Sequence, residues 1–132
     1  MLRAVLGDAM VRAIVPVANR ERALAFYRGA LGLEVLVLQD EFGEARLRVG
    51  AAELVLYVSV GAGQSRHTLA AFDVPDIGAA VEELRTRGVV FEEYDSPGLR
   101  TEDAVARLGD TLAAWFKDPD GNILAVEETI RE

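Results

Sequence analysis

Cysteine is absent from the 132-residue chain, and histidine occurs once. Disulfides, thiolate nucleophiles and zinc-thiolate centres are therefore excluded. A Ser-His-Asp arrangement would have to use His67, and Ser65 stands too close along the chain to approach it naturally. Apolar runs of the ~18 residues that a membrane span needs are also missing. Positive charge is scarce: 14 Lys and Arg oppose 22 Asp and Glu, giving a net charge of −8. Such a surface repels phosphate backbones, which argues against a nucleic-acid partner, and it attracts small cations. The opening stretch MLRAVLGDAMVRAIVPV has Arg3, Asp8 and Arg12 spread through it and no small-residue cleavage site. No leader peptide and no membrane association are expected, and a cytoplasmic location follows.

What is present is an ordinary globular composition, with 51% apolar and 27% charged residues. The length suits one domain with a real core. MVRAIVPVA reads as a strand. Asn19 then caps a helix, RERALAFYRGALG, that Gly32 ends. Three strands follow: LEVLVLQ, EARLRV and ELVLYVSV. After a flexible stretch at 61–66 the order begins again. HTLAAFDV reads as a strand, Asp76 starts a helix IGAAVEELRTRG, and Gly88 stops it. VVFEEY reads as a strand, and the segment Asp95–Asp110 has no counterpart in the first half. EDAVARLG within it suggests a short helical turn. The chain closes with WFKDPDGNILAVEE, a hairpin whose turn uses Pro for φ near −65° and Gly for φ > 0. Asn19 and Gly32 match Asp76 and Gly88 at a nearly constant offset, so the halves are two copies of one topology. The expected fold class is α+β: a single domain over 1–132, with one βαβββ module at about 10–60 and a second at about 67–130.

Three pieces carry a family resemblance: NRERALAFYRGALGLEV, FDVPDIGAAVEELRTRGVVF and AAWFKDPDGNILAV. With the strands between them, the chain resembles the vicinal oxygen chelate superfamily, also called the glyoxalase/bleomycin-resistance/dioxygenase family. The resemblance implies sheets curled into a partly open, barrel-like cleft, and homodimers. In the family's metal enzymes it implies a divalent metal held by His, Glu or Gln from the first and last strand of each module.

Those ligand positions are not retained here. Counting back from Asn19 reaches Arg12, and the same count from Asp76 reaches Leu69. The last-strand positions fall at Leu56 and Ala125. None of these side chains has a lone pair for a metal, so neither a metal nor another cofactor is expected. Strand parity puts His67 beside Leu69 and Glu127 beside Ala125, one step along the same faces. Leu54, Val58, Ile14 and Ile123 share the inward parity, which makes the expected cleft apolar. Arg12, a cation there, must pair with a carboxylate such as Glu127 or meet an anionic ligand group. One of Trp115 and Phe116 faces the cleft, and the turn register decides which. Tyr94, Arg100 and Thr101, in the extra segment, are placed to cap a ligand if that segment is a lid.

The function implied is metal-free binding of a small, partly apolar molecule, in the manner of the bleomycin-resistance branch that sequesters its ligand. The alternatives are a metal-independent lyase or isomerase, and a non-catalytic module with a vestigial cleft.

Overall fold

The computed structural model describes residues 5–131. The expectation of no leader peptide falls partly on residues 1–4, which lie outside that range.

Strand β1 (Ala13–Val17) leads into helix α1 (Arg20–Leu24). Asn19 caps α1 by accepting from the Arg22 backbone N–H at 2.9 Å, which satisfies a donor that the first turn leaves free. The helix then widens into a π-wound stretch, Ala25–Ala30. That widening turns both Phe26 and Tyr27 inward, and Tyr27 is fully buried. Strands β2 (Glu34–Gln39), β3 (Glu44–Val49) and β4 (Ala52–Val58) complete the first module. β4 pairs with β3 antiparallel and with β1 parallel, so the sheet order is β1-β4-β3-β2.

The second module starts with β5 (Thr68–Asp73) and α2 (Ile77–Thr86). Asp76 caps α2 through Ala79 N–H at 3.0 Å, and the Glu128 carboxylate accepts the Ile77 N–H at 2.9 Å. A small hairpin, β6 (Asp95–Ser96) and β7 (Leu99–Arg100), precedes β8 (Ala106–Leu108), β9 (Thr111–Lys117) and β10 (Ile123–Thr129). The order β5-β10-β9-β8 repeats the first sheet's connectivity, with β5 parallel to β10.

Two expectations for the second half need correction. VVFEEY does not form a strand: its backbone pairs with β9 only at a Phe91–Phe116 bridge and a Glu92 N–H to Trp115 O bond. Beyond it, side chains take over the pairing. Thr101 Oγ1 accepts the Tyr94 N–H, and Glu93 Oε1 accepts from Thr101 Oγ1 and from Ala104 N–H. The place in the sheet passes to β8, from the extra segment. EDAVARLG is not helical either. Asp103 and Ala104 both have positive φ, and Glu102 and Val105 bond to each other across them, which makes a tight two-residue turn.

Both helices lie on one side, and one core joins them to both sheets. Val15, Val17, Leu47, Leu54 and Leu56 come from the first sheet, Phe116 and Leu124 from the second, and all are buried to within 1%. Each such side chain stabilises the fold by about 1.5–3 kcal/mol. Phe116 stacks edge-on with Phe91 at 5.5 Å and meets Phe26 at 6.3 Å, linking the two modules. The sheets stand as two separate four-stranded units and are not closed into a barrel. No helix among the described residues is long and apolar enough to cross a membrane.

The DPDGN turn fastens the halves. Buried Asp118 accepts from Asp120 and Asn122 backbone N–H groups at 2.9 Å, from Asn122 Nδ2 at 2.8 Å and from the Tyr27 hydroxyl at 2.7 Å. Asn122 Nδ2 also donates to Pro16 O, and its Oδ1 accepts the Gly63 N–H at 3.0 Å. Asp120 takes the Ala18 N–H and pairs with Arg22. Gly121 supplies the expected positive φ, 89°. The Tyr27 phenol is pushed well above its ordinary range, by burial first and by the Asp118 charge next.

Candidate functional site

Strand side chains alternate between the helix side and the opposite, open side. In the first sheet the helix side holds Val15, Val17, Ala45, Leu47, Leu54 and Leu56, all buried. The open side therefore holds Arg12, Ile14, Glu44, Arg46, Arg48, Glu53, Val55 and Tyr57. Leu56, expected on the ligand face, lies on the other one, and so does Leu54. The misplacement has a physical cause. ELVLYV is apolar at both parities, so only its partners fix its phase, and Leu56 sits opposite Val15 against α1.

The open side of the first sheet is ionic, not apolar. Arg46 pairs with Glu44 at 2.9 Å and Arg48 with Glu34 at 3.0 Å. Arg12 is near Glu53 at 3.7 Å, with both side chains about two-fifths exposed (43% and 39%). A carboxylate partner for Arg12 was expected, and Glu53 rather than Glu127 provides it.

In the second sheet Phe116, Leu124 and Val126 face the helices. Trp115, Ala125, Glu127, Ala113 and Ile123 thus face the open side, with Thr68, Ala71 and Asp73 from β5. This answers the question about the aromatic pair: Trp115 is the open-side residue, and Phe116 is fully buried core. Leu69 sits at the irregularity where Thr68 pairs with Ile123 but Ala70 with Leu124, and it packs against the core. Its expected cleft position is not realised.

The indole of Trp115 is anchored. Its Nε1 donates to Thr68 Oγ1 at 3.2 Å. Trp115 is on β9 and Thr68 on β5, with β10 between them. The ring must therefore lie across β10, over the step from Ile123 to Ala125. Ala125 stands directly opposite Trp115 in register and is 0% exposed. Tyr94 meets the same indole edge-on, centroids 5.6 Å apart and planes at 80°. The Tyr94 phenol is pushed up by partial burial and by neighbouring Glu92, against a smaller lowering by Lys117. Ala71 and Ala113 extend the flat bed around the ring. Sequence reasoning missed Thr68; its only signal was strand parity with Ile123, hidden by the bulge.

Glu127 is half-buried on the open side, opposite Asp73 in register. Arg100 lies outside this group, on the β6–β7 hairpin, paired with Asp95 at 3.1 Å and largely exposed (74%). His67 is exposed at the start of β5, and its Nδ1 shares a hydrogen bond with Ser65 Oγ at 2.9 Å. The two residues thus do approach, in a local turn. No acidic side chain among the described residues bonds to His67, so no triad forms.

A divalent metal does not fit these residues. Near the four strand positions the open side offers Arg12, Ile14, Val55, Tyr57, Thr68, Ala71 and Ala125; the carboxylates nearby are Glu127 and Asp73 on the second sheet and Glu53 on the first, which is already paired with Arg12. Among the described residues no group of three or more His, Cys, Asp or Glu side chains is placed to hold a metal ion.

No curated protein matches the chain. Solved structures share its fold. A glyoxalase/bleomycin resistance protein/dioxygenase from Alicyclobacillus acidocaldarius aligns with TM-score 0.72 and 15% identity, covering 94% of this chain and 93% of that one. An antibiotic binding protein from Streptomyces sp. CB03234 aligns with TM-score 0.70 and 22% identity, covering 92% and 96%. A lactoylglutathione lyase from Agrobacterium tumefaciens aligns with TM-score 0.66 and 20% identity, covering 92% and 93%. The model of the Glyoxalase/Bleomycin resistance protein/Dioxygenase superfamily matches residues 9–126, and together with the twin-module fold this places the chain in that superfamily.

Proposed function

We propose that the protein binds a small, partly apolar molecule on the open side of its second sheet, with no resident metal. One observation carries this reading: the Trp115 indole, laid over Ala125 and held by Thr68, with Tyr94 edge-on to it. A half-buried, fixed aromatic ring on a bed of alanines is a stacking surface for a flat ligand. The ring also occupies the space into which a long side chain at position 125 would extend. Glu127 and Asp73 border the bed and favour a ligand carrying a cationic group; Arg12, already near Glu53, is the rim cation. A sequestering role is supported by one structural relative being an antibiotic binding protein.

The binding unit is proposed to be a homodimer in the cytoplasm. Ile14 and Val37, both on the open side of the first sheet, are 56% and 38% exposed, which is apolar surface that a second copy would cover.

Titrating the protein with a panel of aromatic antibiotics, read by Trp115 emission, tests the reading. Saturable quenching by a member of the panel is expected, lost in Trp115→Leu. Stoichiometric Zn, Ni, Fe or Mn in the purified protein would overturn the metal-free part.

A further inference from the structure

A cavity of about 290 Å³ lies on the helix side of the second sheet, between the end of the π-wound stretch and α2. It is separate from the Trp115 surface, because the sheet itself lies between them. Half-buried Leu31, Leu33, Phe72, Val74 and Leu84 line it, and Arg87 stands at its mouth. Gly32 helps to open that mouth. It ends the first helix at φ +73°, and a Cβ there would come within 2.8 Å of Arg87 Nη1. The missing side chain lets the guanidinium lean over the opening. Arg87 Nε donates to Glu83 Oε1 at 3.3 Å, and among the described residues neither Nη1 nor Nη2 donates a hydrogen bond.

We propose that this cavity is a second small-molecule site, for a compact monocarboxylate with an apolar ring or short chain. The apolar part replaces water against the leucines, Phe72 and Val74. The carboxylate takes the two terminal guanidinium nitrogens, an arrangement for which the planar fork is suited. Glu83 sets the charge selectivity. Its carboxylate offsets part of the Arg87 charge, so the mouth accepts one negative charge and disfavours phosphates and dicarboxylates. The volume is at the small end for ligand pockets, which limits the guest to a single ring or a short chain.

The probes are hexanoate and benzoate, with hexan-1-ol as the uncharged control, followed by backbone amide shifts of the whole chain. Saturable shifts confined to Leu31–Leu33, Phe72–Val74 and Ala80–Gly88 are expected, with dissociation constants of about millimolar order. Arg87→Met should weaken hexanoate about tenfold and leave hexan-1-ol unchanged. Ala80→Leu keeps a strong helix former in α2, fills the cavity, and should abolish both. Equal hexanoate affinity in Arg87→Met would overturn the proposal, as would shifts that centre on Trp115 and Thr68 or an absence of saturable shifts. Failure here leaves the Trp115 reading standing, since that one is read by emission from the opposite face.

Discussion

Trp115 Nε1 and Thr68 Oγ1, 3.2 Å apart, span an intervening strand and pin an aromatic ring over Ala125. Ala125→Glu must therefore displace the ring or bury a carboxylate under it. A loss of about 2–4 kcal/mol in urea unfolding is expected. The new carboxylate would still lack a full set of partners, so zinc or nickel should not rescue the variant's melting temperature.

Thr68→Val removes the anchoring hydroxyl and keeps the shape. The cost should be about 1 kcal/mol. The indole then gains freedom, so Trp115 emission should shift and any ligand found by quenching should bind more weakly. An unchanged spectrum would show that the bond does not hold the ring.

Tyr27 gives the protein an alkaline limit. Its folded phenol is raised far above the ordinary value of 10.0, so the folded chain keeps a proton that the unfolded chain releases. The resulting stability is complete below about pH 10 and is lost as pH rises further, by about 1.4 kcal/mol per pH unit. Tyr27→Phe should flatten that decline. At neutral pH it should cost about 1.5–3 kcal/mol, because Asp118 loses a donor. Urea titrations at several alkaline pH values read both effects.

Ion pairs on the open side of the first sheet should matter far less. Arg12→Ala breaks the contact with Glu53, in which both partners are well exposed, and should change stability by less than about 0.5 kcal/mol. Asn122→Ala is the contrasting case. It removes bonds to Pro16, Gly63 and Asp118 from a fully buried site and should cost about 2–4 kcal/mol. Comparable losses in the two variants would contradict this account.

The twin modules were legible because caps and stop glycines are local signals: Asn19 and Asp76 open the helices, and Gly32 and Gly88 end them. Strand phase was less so. β4 is apolar on both faces, and a one-residue error moves Leu56 from core to cleft. Non-local partners hid the rest. Nothing near Glu93 and Tyr94 announces that Thr101 will draw them out of the sheet, and nothing near Trp115 points to a threonine two strands away. Arg12, a cation opening an apolar strand, was conspicuous enough to call for a carboxylate, but Glu53 was chosen by the register of β4.

The DPDGN turn makes the duplication directional. In the first module the equivalent hairpin turns through Gly50 and Ala51, with no acidic or amide side chain to reach out. Only the second copy carries the groups that grasp β1 and α1. Two halves with the same wiring are thus not interchangeable: one presents a latch and the other a keeper. Exchanging their order along the chain would conserve every strand pairing within each sheet and still separate the latch from the linker residue Gly63 that it holds.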